Sequence, residues 1–98
     1  MAQTRTTTKQ KVELSYPKRY NVIIHNDNQT PIDFVITLLV ELFNKTLEDA
    51  RSITMTIHEE GQAVVGTYNR EIAEQKTAES NNTARFAGYP LKTTFKEV

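Results

Sequence analysis

The residues best suited to chemistry in this chain are the polar run Asn26-Asp27-Asn28 and a histidine well downstream, His58. A carboxylate and an imidazole can trade protons as general acid and base. An enzyme would also need something for them to activate. The sequence has no cysteine, no serine in a nucleophile-elbow setting, and only three glycines, scattered rather than grouped into a phosphate-cradling loop. Two histidines, His25 and His58, are too few for a histidine-rich metal site, and thiolate ligands are excluded outright. We therefore expect no cofactor and no metal, and a small hydrolase built on Asp27 and His58 is a distant option. Asn, Asp and Asn in succession are also what an ordinary turn uses, and composition alone favours that reading. Of the functional classes, a binding module is the most natural one left.

The elements that must place these residues are legible from periodicity. Tyr20-Asn21-Val22-Ile23-Ile24-His25 is aromatic or β-branched at most positions and predicts a strand. After the Asn26-Asp27-Asn28 turn, Thr30 is suited to N-cap a helix, Pro31 to its first position, and Asp33 to the acidic place of a capping box. A strand leading into a helix through a polar loop is a common place to hold a ligand. The helix should run from about Pro31 to Phe43, with Ile32, Val35, Ile36, Leu39, Leu42 and Phe43 on one apolar face. A second helix is predicted from the Thr46 cap to Gly61, with Ala50, Ile53 and Ile57 as its inner stripe. Thr54 and His58, four apart, share a neighbouring face.

Ala63 to Tyr68 reads as a strand, with Val64, Val65 and Tyr68 as its bulk and Gly66 admitting another backbone. Asn69 caps a third helix to about Ala87, its inner side expected from Ile72, Ala73, Ser80 and Ala84. Leu91 to Lys96 makes the last strand, with Leu91 and Phe95 on one face. The order β-α-α-β-α-β predicts an α+β fold: a small three-stranded antiparallel sheet packed against three helices.

Residues 1–18 are threonine-rich and poor in apolar side chains, and we expect a flexible basic N-terminal arm there, with one core domain over 19–98. Val12, Leu14 and Tyr16 alternate and could add a short extended piece. Formal charge is zero for the chain, yet residues 1–19 carry five basic side chains against Glu13, a net of +4. Basic arms can seek phosphates. This one is sparse, and the acidic body offers no basic face to continue the contact, so no nucleic-acid partner is expected. No apolar run approaches membrane-spanning length and no secretory leader is evident, which predicts a cytoplasmic location with no membrane partner.

Five segments then fall in order along residues 20–98: Val22-Ile23-Ile24-His25-Asn26-Asp27, Thr30-Pro31-Ile32-Asp33-Phe34-Val35, His58-Glu59-Glu60-Gly61, Glu71-Ile72-Ala73-Glu74-Gln75-Lys76 and Pro90-Leu91. Together they resemble the ClpS adaptor family. The resemblance implies a non-enzymatic adaptor that holds substrates by a destabilising first residue (Phe, Tyr, Trp or Leu) and hands them to a Clp AAA+ unfoldase and protease. By the same resemblance, Asn26, Asp27 and His58 would receive the α-ammonium. Such a group has three donors, which an amide oxygen, a carboxylate and a neutral imidazole suit. A hydrogen bond to a charge contributes about 1.5–3 kcal/mol, and burying a Leu or Phe side chain about 1.5–3 kcal/mol. Neither alone gives useful affinity. Read by itself, His58 is a satisfied helix-end histidine.

The resemblance places the side-chain pocket at Asn28, Thr30, Ile32, Val35, Thr54, Ile57 and Leu91. Ile32 and Thr54 stand where the family commonly has methionine, Asn28 where aspartate is frequent, and Gln29 where an aromatic is frequent. Methionine adapts to irregular space whereas isoleucine is stiff. A roomier, less yielding pocket follows, favouring Phe, Tyr or Trp over Leu. Glu71, Glu74 and Lys76 match the docking surface for the unfoldase N-terminal domain, ClpA-like or ClpC-like; read alone they are a solvated helix face. The arm would then engage the unfoldase during delivery. The alternative is a regulator that docks on the unfoldase and blocks or redirects other substrates without presenting its own.

Overall fold

The computed structural model describes residues 17–98. The arm expected over 1–18 lies outside the described residues as far as residue 16, as do Val12, Leu14 and Tyr16. The described chain runs β1 (Tyr20–His25), α1 (Ile32–Phe43), α2 (Leu47–Glu60), β2 (Gln62–Tyr68), α3 (Arg70–Ala87) and β3 (Lys92–Glu97). The strands form one antiparallel sheet in the order β2-β1-β3. The expected α+β architecture and element order are the observed ones.

β1 is the central strand, and it alone is buried through its middle. Val22 and Ile24 are fully buried, and they meet Val35, Leu38, Leu39 and Phe43 of α1, Ala50 and Ile57 of α2, and Ala73 and Ala84 of α3 in one core. Truncating Ile24 or Leu39 to alanine would cost about 2–5 kcal/mol, a large part of the margin a domain of this size has. The β1–β2 register shifts between Val22 and Ile23, where Val22 pairs with Gly66 and Ile23 with Val64. Val65 is the extra residue of a bulge, and the bulge turns its side chain into the core while Val64 stays half exposed. Gly66 admits a side chain rather than a backbone: a Cβ there would collide with the ring of Tyr68 on the same strand.

The helix ends follow local signals, with one exception. Thr46 Oγ1 accepts from the Asp49 N–H at 3.1 Å, Asn69 Oδ1 accepts from the Ile72 N–H at 2.9 Å, and Gly61 and Gly88 close α2 and α3 with positive φ. Thr30 does not cap α1. The N-cap is Pro31, whose ring has no hydrogen-bond acceptor, and α1 begins without a side-chain cap. Thr30 is held by Asp27 instead, as described below. At its other end α1 has no basic residue in the last turn. Lys76 of α3 takes that place: its Nζ donates to the Leu42 carbonyl at 2.8 Å, near the negative end of the helix dipole.

The inner face of α3 is Ala73, Thr77, Ser80 and Ala84. Ile72, expected inside, is 36 % exposed. Buried positions on α3 recur at four, three and four residues, and Ile72 falls just off that line. The small residues let α3 approach β3 closely. Ser80 Oγ and Thr93 Oγ1 share a hydrogen bond of 2.6 Å, and the Asn81 amide pairs with both backbone groups of Thr93 at 2.8 and 2.9 Å. Those two contacts cover the N–H and C=O that an edge strand would otherwise leave open.

Candidate functional site

Where β1 ends, the chain leaves the sheet beside the C-terminal end of α2 and crosses to the start of α1. A cavity of about 210 Å³ lies at this junction, lined by Asn26, Asp27, Asn28, Thr30, Ile32, Val35, Thr54, Ile57, His58 and Leu91. Two helices and two loops supply these side chains at the spacings their geometry demands. Ile32 and Val35 are three apart on α1, and Thr54, Ile57 and His58 lie on one face of α2 at three- and four-residue steps. Leu91 comes from the residue just before β3. Burial divides the lining by depth. Val35, Thr54, Ile57 and Leu91 are at most 5 % exposed and form the floor. Asn26, Asn28, Ile32 and His58 are exposed and form the mouth, with Asp27 and Thr30 between. The result is an apolar hole with polar groups gathered at its rim.

The loop across the mouth is held by one carboxylate. Asp27 Oδ1 accepts from the backbone N–H of Gln29 at 2.7 Å and of Thr30 at 2.8 Å, and Asp27 Oδ2 accepts from Thr30 Oγ1 at 2.7 Å. Partial burial alone would raise the Asp27 pKa; the hydrogen bonds from Thr30 and Gln29 outweigh it and hold the carboxyl below its ordinary value of 3.8. Asp27 is thus charged at neutral pH, and its three bonds set the course of residues 27–30. An acidic residue read from the sequence as a possible ligand contact is also the residue that builds the loop. Thr30 is the signal sequence reasoning misread: Asp followed three positions later by Thr is an Asx-turn pattern as much as a helix start.

The rim is registered against α2 by the backbone. The Asn26 N–H donates to the Gly61 carbonyl at 2.8 Å, and Gly61, with φ of 92°, is the residue that terminates α2. Among the described residues, neither the Asn26 amide nor the His58 ring makes a side-chain hydrogen bond, so both stand open at the mouth. The other histidine is engaged elsewhere: His25 Nε2 is 2.8 Å from Thr94 Oγ1. The acceptors at the rim suit a small cationic group, and the floor suits an apolar one.

The three residues assigned to docking lie well away from the mouth, on α3. Glu71 and Glu74 are exposed, and Glu74 pairs with Arg70 at 3.6 Å across one helical turn. Lys76 is half buried, bonded to Leu42 and set 5.9 Å and 6.0 Å from the ring centres of Phe43 and Tyr68. The two glutamates are presented to solvent, while Lys76 is part of the scaffold.

Among the described residues no group of three or more metal-binding side chains comes together, and no helix is long and apolar enough to cross a membrane. Fold and cavity together define a small α+β domain with an apolar-floored cavity rimmed by polar groups. Comparison with known proteins gives the family. The family model for ATP-dependent Clp protease adaptor protein ClpS matches residues 15–94. The ClpS adapter protein of Lawsonia intracellularis is 46 % identical over 82 residues, spanning 84 % of this chain and 75 % of its own. That of Desulforapulum autotrophicum is 40 % identical over 93 residues, spanning 95 % and 89 %. Among solved structures, Agrobacterium tumefaciens ClpS2 bound to L-phenylalaninamide superposes with a TM-score of 0.83 at 37 % identity, over 85 % of this chain and all of that one. The chain belongs to the ClpS family: it is an adaptor of the ATP-dependent Clp protease and not itself a protease.

Proposed function

We propose that the cavity receives the first residue of another polypeptide and that the protein hands that polypeptide to a Clp AAA+ unfoldase. The observation that carries this reading is the division of the cavity by depth: four buried side chains below, Asn26 and His58 at the rim, and Asp27 between. A first residue matches that division. It brings an α-ammonium, which needs acceptors, one bond away from the carbon bearing its side chain, which needs a dry hole. Asn26 Oδ1 and the neutral His58 ring accept from the ammonium, and the Asp27 carboxylate supplies the countercharge, directly or through water. Asn28, Thr30, Ile32, Val35, Thr54, Ile57 and Leu91 hold the side chain. The ligand of the Agrobacterium tumefaciens ClpS2 structure, L-phenylalaninamide, has both features, a free α-amine and an aromatic side chain.

The side-chain preference is Phe, Tyr or Trp over Leu. Ile32 at the mouth is β-branched and cannot fold over a short ligand as an unbranched side chain could. Glu71 and Glu74 on α3, with Lys76 behind them, present the surface that docks on the unfoldase N-terminal domain, ClpA-like or ClpC-like. The test is a titration with short peptides that differ only in the first residue, plus one Phe-initiated peptide acetylated at its α-amine. Acetylation removes the charge and blocks the approach, so binding of that control collapses. Equal affinity for the free and acetylated peptides would reject the reading.

A further inference from the structure

Of the four side chains that form the floor, three are apolar and one, Thr54, is not. Thr54 is 3 % exposed, lines the cavity alongside Val35, Ile57 and Leu91, and carries a hydroxyl. That hydroxyl is already committed: Thr54 Oγ1 donates to the Ala50 carbonyl one turn back at 2.7 Å. A hydroxyl has a single proton and two lone pairs. With its proton held by Ala50, Thr54 can offer a ligand only an acceptor. The same holds at mid-depth, where the Thr30 proton is held by Asp27 Oδ2.

We infer that Thr54 Oγ1 is a specificity-determining acceptor at the floor, which favours a first residue whose side chain ends in a hydrogen-bond donor. This rests on the proposed reading of the cavity as a first-residue site. Tyrosine is the first residue that fits. Its ring enters as that of Phe does, and its phenolic O–H leads into the floor, where it donates to Thr54 Oγ1. Placed against a purely apolar floor, the same O–H would lose its water and gain nothing. A para-methyl group fills the same space with no donor and separates shape from hydrogen bonding.

The experiment titrates three peptides, beginning with Phe, Tyr or para-methylphenylalanine, against the wild-type chain, Thr54→Val and Thr54→Ser. Binding of the Phe peptide to each variant shows that the cavity is intact. The affinity of Tyr relative to Phe falls by about three- to tenfold in Thr54→Val, the loss of one neutral hydrogen bond. It returns in Thr54→Ser, which keeps the hydroxyl, and the para-methyl peptide follows Phe throughout. A Tyr-to-Phe ratio that is the same in wild type and Thr54→Val, with both peptides still bound, overturns the inference and leaves the first-residue reading in place. Failure of all three peptides to bind the wild-type chain rejects that reading and the inference with it.

Discussion

The backbone N–H of Asn26 is bonded to the carbonyl of Gly61 at 2.8 Å, one step beyond the last β1–β2 pair, His25 with Gln62. This contact ties the exit of the central strand to the residue that ends α2. It brings the Asn26 amide and the His58 ring to the same rim although they lie far apart in sequence. Gly61 can serve because its φ of 92° is open to glycine at little cost.

Gly61→Ala tests this join, and Gly88→Ala is its control. Both glycines have positive φ, and an added Cβ meets nothing within 4 Å at either. Each substitution therefore costs about 1–2 kcal/mol through backbone strain alone, read as a lower denaturation midpoint. Only Gly61→Ala also weakens binding of a Phe-initiated peptide, because only Gly61 positions the rim. Equal peptide affinity in the two variants would detach the rim from α2.

Asn26→Ala separates the adaptor from a protein that only blocks the unfoldase. Loss of a hydrogen bond to a charged group is worth about 1.5–3 kcal/mol, roughly ten- to a hundredfold in Kd. Peptide binding falls by that factor while association with the unfoldase persists. A blocking regulator would lose neither.

Asp27 acts through loop geometry as well as charge, and the two parts can be told apart. Asp27→Asn keeps an oxygen for the Gln29 and Thr30 N–H groups; Asp27→Ala keeps nothing. The loss of the loop bonds should cost the alanine variant about 1–2 kcal/mol of stability and most of its peptide affinity, with the asparagine variant between it and wild type. The pH dependence has a defined sign. The folded-state pKa is lowered, so the stabilisation is fully present above the ordinary value of 3.8 and is lost as pH falls through the lower folded value. Acid unfolding of Asp27→Asn should lack this contribution, measured as a shallower loss of stability below about pH 4.

The three α3 residues proposed for docking divide. Glu71→Lys and Glu74→Lys change exposed side chains, so stability stays within about 0.5 kcal/mol and peptide binding is unchanged while association with the unfoldase is lost. Lys76→Met removes the donor to the Leu42 carbonyl and costs about 1 kcal/mol or more. A docking defect at Lys76 therefore has to be compared at matched stability, and urea denaturation supplies the correction.

Much of the architecture could be read in one dimension. The apolar stripes of α1 and α2, the Thr46 and Asn69 caps and the closing glycines Gly61 and Gly88 act over three or four residues, and a local pattern suffices to see them. Other features were decided by partners distant in the chain. Thr30 reads as a helix cap until Asp27 is seen to hold both its N–H and its hydroxyl. Lys76 reads as a surface charge until Leu42, 34 residues earlier, is found beneath it. Gly66 reads as a place for a neighbouring backbone, and the ring of Tyr68 occupies it. Ile72 reads as core and lies just off the buried line of α3. The cavity is the clearest case: the residues around it were marked by resemblance to a family, since spacing alone leaves Asn26-Asp27-Asn28 an ordinary turn and His58 an ordinary helix end. A hole with an apolar floor and a polar rim exists only once a strand exit, two helices and Leu91 meet, and no local sequence pattern encodes a space between segments.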